Sequence, residues 1–253
     1  MREEILQVPT PSGPMETFVT RPEADGRYPP VIFYMDIWGI RDELYDLARR
    51  AATVGYCAIV PDLYHRQGQV RFAFYDERGR MMTLEALSEE RKAAVRAAGR
   101  QLSDAMVVED TRALLAALGT FSGAKDGPVG CIGYCMGGRH AFRVAGAFAD
   151  RVKASLCLHG SDLVTDRPDS PHLDAVKAQG ELYCGYAEHD RFAAEPVRTA
   201  VEQAMRGSAA KFVPCLHKGA HHGYALPDRD VYDQPSANRD WETAFAMFRR
   251  QLG

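Results

Sequence analysis

The stretch "GCIGYCMGGRHAF" at residues 130–142 decides the fold. Within it, Gly133, Cys135 and Gly137 form a G-x-nucleophile-x-G pattern, which is typical of a sharp turn between a strand and a helix. Glycine on either side of the corner allows the strand and the helix to approach closely. At the start of a helix, the positive end of the helix dipole favours a thiolate over a thiol at Cys135. The alternative is a buried structural cysteine, as expected for Cys157.

Around this stretch, short apolar runs alternate with longer segments of helical spacing. Strands are predicted at 29–36, 56–62, 127–135, 153–160, 180–188 and 210–219, and helices at 41–55, 83–118 (in one or two pieces), 138–150, 193–207 and 236–252. This alternation predicts an α/β fold with a mostly parallel central sheet and helices on both faces. We expect one domain spanning residues 1–253.

Two further segments do not fit the alternation. The first twenty residues are predicted to form an edge hairpin that turns at residues 11–14. Residues 65–82 have no clean period, and we predict an excursion over the carboxyl edge of the sheet, where open α/β folds place their sites.

The composition limits the classes of function. The net charge of −3 and the absence of a long basic run argue against a nucleic-acid partner. No stretch approaches the roughly 20 apolar residues that span a bilayer, and the N-terminus lacks the apolar core of a secretory signal. None of the 6 cysteines forms a CxxC pair. We therefore expect a cytoplasmic protein with reduced thiols, no metal and no membrane partner.

Two later loops supply the residues that a cysteine nucleophile needs. Asp190 follows a strand and precedes a helix, and His222 lies in the loop after the last strand. The order nucleophile, acid, histidine is that of the α/β-hydrolases. His222 would accept the proton of Cys135, and Asp190 would orient the imidazole. The backbone N–H of Met136 would bind the developing oxyanion.

Neighbouring residues leave alternatives to this assignment. His221 and His189 could replace the histidine, and Glu188 could replace the acid. The order histidine, glycine, aromatic favours His222 over His221. Asp190 is favoured over Glu188 because it directly precedes a basic and an aromatic residue.

Together these motifs resemble the dienelactone hydrolase family over nearly the whole chain. The resemblance rests on "MDIWGIRDELYDLARRAATVGYCAIVPDLYHR" (35–66), "VGCIGYCMGG" (129–138), "GYAEHD" (185–190) and "GAHHGY" (219–224). It implies an α/β-hydrolase fold, a Cys-His-Asp triad, hydrolysis of esters or lactones, and no cofactor.

The resemblance also implies roles for the turn "MDIWG". The N–H of Ile37 would be the second oxyanion donor beside that of Met136. Asp36 occupies the position where the best-known members carry a Glu that helps to generate the thiolate, and it is shorter by one methylene. The alternative is that Asp36 only caps the turn.

Substrate recognition departs from the family pattern. Where those members carry an Arg a few residues after the histidine, this chain has Leu226, which removes a bidentate carboxylate contact. Arg91 is a candidate for the other expected cation, or else an exposed helix arginine. A dicarboxylate-like dienelactone therefore cannot be assumed. Four aromatic residues are candidates for lining the pocket or for ordinary packing: Trp38, Tyr64, Tyr134 and Tyr224.

The functional hypothesis is a cysteine hydrolase, monomeric or homodimeric, acting through a thioester. It would open a small lactone, such as a dienelactone-like enol lactone, or cleave an activated ester. The alternatives are a related carboxylesterase or acyl transferase with a different acyl donor, and a non-catalytic binding member of the fold.

Overall fold

The computed structural model describes residues 1–253 and alternates strands with helices as the sequence predicts. The strands are β1 (Arg2–Thr10), β2 (Gly13–Arg21), β3 (Pro30–Tyr34), β4 (Cys57–Pro61), β5 (Val129–Tyr134), β6 (Val152–Leu158), β7 (Glu181–His189) and β8 (Lys211–His221). The helices are α1 (Asp42–Ala52), α2 (Glu89–Gln101), α3 (Asp104–Ala117), α4 (Met136–Ala147), α5 (Pro171–Ala175), α6 (Glu195–Met205) and α7 (Gln234–Gln251). No helix combines the length and the apolar character that crossing a membrane requires.

The chain divides into two compact units. One contains residues 1–126 and 228–230, and the other contains residues 127–227 and 231–253. The expectation of a single domain stays a prediction.

The first unit orders its strands β1-β2-β4-β3. β1 and β2 form the predicted hairpin, paired from Arg2 opposite Arg21 to Thr10 opposite Gly13. β2 is antiparallel to β4, and β3 is parallel to β4. β3 and β4 are buried along their whole length, as their apolar runs predict.

The long helical stretch predicted at 83–118 is two helices. Ser88 accepts a hydrogen bond from the N–H of Arg91 and begins α2, and Ser103 accepts one from the N–H of Met106 and begins α3. Such hydroxyls satisfy donors that the first helical turn leaves unpaired. Residues 65–82 contain little regular structure, as predicted, although their position over the sheet edge stays a prediction.

The second unit orders its strands β5-β6-β7-β8, all parallel. α4 packs against β5 and β6, and α7 packs against β6 and β7. The short helix α5 was not predicted, because its five residues are too few to show a helical period.

The turn between β5 and α4 is the most constrained point of this unit. Cys135 has φ 56° and ψ −114°, in a region that favours glycine. A Cβ atom on Gly133 would lie 1.9 Å from the carbonyl oxygen of Gly137, and one on Gly138 would lie 2.9 Å from the Cα of Gly160. The strand and the helix therefore meet with no room for side chains, as the glycine pattern predicts.

This contact predicts the effect of adding one methyl group. Gly133→Ala should lower the free energy of unfolding by about 2 kcal/mol or more, because the new Cβ meets backbone that cannot move aside. Gly119→Ala is the matched control, since no atom lies within 4 Å of its Cβ position. It should change the free energy by less than about 1 kcal/mol. Urea unfolding measures both, and equal effects would contradict the account.

Candidate active site

The main chain at Cys135 is held on both sides. Its N–H donates to the carbonyl of Leu158 at 3.0 Å and to Nδ1 of His159 at 3.1 Å. Its carbonyl accepts from the N–H groups of Arg139 and Ser161, each at 3.2 Å. Such surroundings maintain a backbone conformation that would otherwise relax. The direction in which the partly exposed Cys135 side chain points is therefore fixed by its backbone.

The predicted acid and histidine lie together. Nδ1 of His222 is 2.7 Å from Oδ2 of Asp190, whose buried Oδ1 accepts from the N–H of Phe192 at 2.8 Å. Asp190 directly follows β7 and His222 directly follows β8. The last residues of these parallel strands, His189 and His221, are paired after a shift in register between Ala187 and His189. The sheet itself therefore brings the two loops side by side.

The charges around His222 favour its protonated form. Burial lowers the pKa of His222, but the negative charge of Cys135 and the hydrogen bond to Asp190 outweigh it and raise that pKa to about 10. Nε2 is buried and has no hydrogen bond of ordinary geometry. Cys135 is thus near enough to affect the imidazole, although its sulfur does not form a regular hydrogen bond with Nε2.

The alternative residues lie elsewhere. Glu188 is exposed, and its carboxylate accepts from the N–H of Gly219 at 2.8 Å. His221 is exposed and packs on His189, with 4.8 Å between the ring centroids. No group of three or more His, Cys, Asp or Glu side chains is arranged to hold a metal ion. The geometry therefore favours Asp190 and His222 as the pair.

A further residue of the site, His159, is not singled out by any sequence motif. This fully buried residue has φ 37°, accepts the Cys135 N–H and packs edge-to-face on His222, with ring centroids 5.1 Å apart. Its ring also packs edge-to-face on Tyr224 at 5.3 Å. The available signal was a histidine directly before a glycine at the carboxyl end of an otherwise apolar strand.

The four aromatic candidates are all buried, at 2% exposure or less. Two of their hydroxyls have structural partners: Tyr64 donates to the carbonyl of Ile37 at 2.9 Å, and Tyr224 donates to Asp240 at 2.6 Å. These hydrogen bonds give Tyr64 and Tyr224 a structural role within the fold. Substrate contact by Trp38, Tyr64, Tyr134 and Tyr224 stays a prediction.

The turn that begins at Asp36 belongs to the first unit. The buried Asp36 carboxylate accepts hydrogen bonds from both terminal nitrogens of Arg41, at 2.8 and 3.1 Å, and from the backbone N–H of Trp38, at 3.1 Å. Arg41 also bonds Asp228. Asp36 therefore caps its turn, as the alternative proposes, and forms a bidentate ion pair that the sequence analysis did not foresee. Its action on the thiol and the donor role of Ile37 stay predictions.

Two arginines of the first unit bear on the expected carboxylate contact. Arg91 is exposed, and its guanidinium lies 5.0 Å from the ring centroid of Phe74. A second arginine, Arg229, was overlooked. It is buried and lies over the ring of Trp38, 5.1 Å from the centroid. A carboxylate contact by Arg91 stays a prediction.

Comparison with known proteins identifies the group to which this arrangement is similar. The model of the dienelactone hydrolase family matches residues 15–252. A protein of Synechocystis sp. named "Putative carboxymethylenebutenolidase" is 27% identical over 255 residues, covering 100% of this chain and 98% of the relative. One of the same name from Salmonella typhi is 26% identical over 253 residues, covering 98% and 87%.

Solved structures support the fold. A crystal structure named as that of a "Putative Dienelactone Hydrolase" from Klebsiella pneumoniae matches with a TM-score of 0.83 at 24% identity, covering 98% of both chains. The dienelactone hydrolase-like promiscuous phosphotriesterase P91, from metagenomic libraries, matches with a TM-score of 0.75 at 20% identity, covering 100% of both. The predicted α/β-hydrolase fold is confirmed.

The effect of Cys135 on His222 predicts how the pKa of His222 changes when the sulfur is removed. Cys135→Ala should lower the pKa of His222 from about 10 toward its ordinary range, because it removes the charge that most favours the imidazolium. Cys57→Ala, in β4 of the first unit, is the control and should leave the titration unchanged. NMR titration of the ring nitrogens measures both, and an unchanged pKa in Cys135→Ala would contradict the account.

The raised pKa of His222 also determines how its protonation affects the stability of the fold as the pH changes. The pKa of His222 is raised in the folded chain, to about 10, above the roughly 6.5 of an unfolded histidine. Protonation of His222 therefore stabilises the folded state fully below pH ~6.5, and this contribution is lost as the pH rises through about 10.

Proposed function

The chain belongs to the dienelactone hydrolase family and is a hydrolase, and on that premise we propose that it opens a small lactone or cleaves an activated ester with Cys135 as the nucleophile. The observation that carries the proposal is the Asp190–His222 pair, 2.7 Å apart and close enough to Cys135 for its charge to raise the pKa of the imidazole. A thiolate beside an imidazolium is the active form of cysteine hydrolases.

In the first step, the Cys135 sulfur attacks the carbonyl carbon of the substrate, and the carbonyl electron pair moves to oxygen. Met136 is the first residue of α4, and a helix leaves its first N–H groups without internal acceptors. The Met136 N–H would donate to the oxyanion. A second donor, the N–H of Ile37, is proposed from the family resemblance alone.

In the second step, the oxyanion collapses to a thioester and the bond from carbon to the leaving oxygen breaks. The His222 imidazolium gives its proton to that oxygen, which in a lactone stays attached to the acyl group. Neutral His222 then removes a proton from water, which attacks the thioester and releases the acid. Asp190 stabilises the imidazolium whenever it forms.

The substrate class rests on charge. Leu226 is fully buried and apolar, and by the family resemblance it lies in the region where the best-known members carry an arginine. This favours lactones and esters that lack a second carboxylate. An acyl transferase would form the same thioester. Adding an alcohol to the assay distinguishes the two functions, because a transferase would produce a new ester and a hydrolase would produce the free acid.

Removal of the sulfur tests the nucleophile. Cys135→Ala should lower kcat/KM for p-nitrophenyl acetate and for a small lactone by about 10³-fold or more, because no other group forms the thioester. Cys131→Ala, at a buried cysteine of β5, the strand that leads to Cys135, is the matched control and should retain most of the activity. Activity of the wild-type level in Cys135→Ala would remove Cys135 from the mechanism.

Two adjacent histidines test the base. His222→Asn should lower kcat by about 10³-fold, since general acid–base catalysis and thiolate formation are lost together. His221→Asn changes an exposed ring, and its kcat should stay within about twofold of the wild-type value. Steady-state kinetics of the two variants decides between them, and the reverse ranking would reassign the base to His221.

A further inference from the structure

The second unit contains another cysteine and histidine, apart from Cys135 and His222. Cys215 and His217 lie two residues apart on β8, so their side chains share one face of the strand. The His217 side chain is fully buried and its Nε2 is 2.8 Å from Oδ1 of Asp240, on α7. Cysteine, histidine and aspartate thus occur together outside the proposed active site.

The carboxylate of Asp240 is held by several donors. Tyr183 donates to Oδ1 and Tyr224 donates to Oδ2, each at 2.6 Å. Gly185 is the partner of Cys215 in the pairing of β7 and β8. A Cβ on Gly185 would lie 2.5 Å from the Tyr224 hydroxyl oxygen, so the absence of a side chain there leaves room for the tyrosine–aspartate pair beside β8.

The other ring nitrogen of His217 faces a different situation. Nδ1 is buried and has no hydrogen bond of ordinary geometry, while Nε2 bonds Asp240. A buried polar atom without a hydrogen-bond partner is costly, so a group beside Nδ1 that can interact with it is expected. On this face of the strand, the group that interacts with His217 is the partly exposed Cys215 thiol.

Electrostatics agree with the geometry. Burial lowers the pKa of His217, but its hydrogen bond with Asp240 and its interaction with the Cys215 thiol raise it to about 9. In turn His217 lowers the pKa of the Cys215 thiol, and this outweighs the effect of burial. The thiolate is the reactive form of cysteine, and partial exposure gives small molecules access.

We propose that Cys215 is a second reactive thiol, and that it is a site of oxidation by hydrogen peroxide. The thiolate sulfur attacks one peroxide oxygen, an S–O bond forms and the O–O bond breaks. Sulfur loses two electrons and becomes a sulfenic acid. The other oxygen leaves as hydroxide and takes the Nδ1 proton of the His217 imidazolium, so the second product is water.

The test uses the full chain with Cys135→Ser, which removes the other reactive thiol. The protein is treated with hydrogen peroxide at pH 6.5 in the presence of dimedone, which traps sulfenic acids. Trypsin cleaves after Lys211 and Lys218, so Cys215 is the one cysteine on its peptide. Its adduct should form about tenfold faster than that of a free cysteine derivative, of which only about 1% is thiolate at this pH. A rate equal to or below that of the free thiol would overturn the proposal.

Two variants in the same background assign the cause. His217→Asn keeps a donor for Asp240 but removes the imidazolium, and should lower the rate at Cys215 about tenfold. His221→Asn changes an exposed histidine of the same strand and should leave the rate unchanged. Circular dichroism establishes which variants fold. A folded His217→Asn that reacts like its parent would overturn the proposal, and if that variant does not fold, the comparison with free cysteine decides.

Discussion

The close approach of β5 and α4 is the constraint on which the rest of the site depends. Because Gly133 and Gly138 have no side chains, the chain can turn within a few residues, and Cys135 takes a conformation that is costly for a side chain. The Cys135 N–H donates hydrogen bonds to the carbonyl of Leu158 and to Nδ1 of His159, and these hold the corner at the end of β6. The same turn fixes the sulfur and begins α4, so the nucleophile and the Met136 N–H come from one local structure.

The second requirement is the register of β7 and β8. In parallel strands, loops that leave from paired residues begin side by side, and this places Asp190 against His222 without long-range adjustment. Asp190 is buried and bonded to the Phe192 N–H, so it has little freedom. The imidazole is therefore oriented by the sheet as well as by its acid. The Tyr224 hydroxyl also connects to a further polar cluster around Asp240.

The sequence could predict those features that depend on local patterns. The glycine spacing around Cys135 predicted the turn, and the positions of Asp190 and His222 after strands predicted their meeting. His159 could not be found in this way, because its partner is a backbone N–H 24 residues earlier in the chain. The same holds for Arg41, whose second partner, Asp228, is 187 residues away.

Other limits come from burial. An alternating pattern places an aromatic residue on the inner face of a strand or helix, but it does not separate pocket lining from packing, and Tyr64 and Tyr224 proved to be bonded within the fold. Cys215 and His217 are two residues apart in the strand predicted at 210–219, so the strand pattern places them on one face. Their partner Asp240 is on α7, and only the packing of that helix on the sheet reveals the cluster.

The most direct test of the central claim is to trap the acyl-enzyme. The protein is mixed with a p-nitrophenyl ester of a bulky acid, quenched in acid during turnover, digested and examined by mass spectrometry. The account predicts a transient mass increase equal to the acyl group, located by fragmentation on Cys135 and disappearing as the free acid accumulates. An acyl group on a different residue, with Cys135 unmodified throughout turnover, would contradict it.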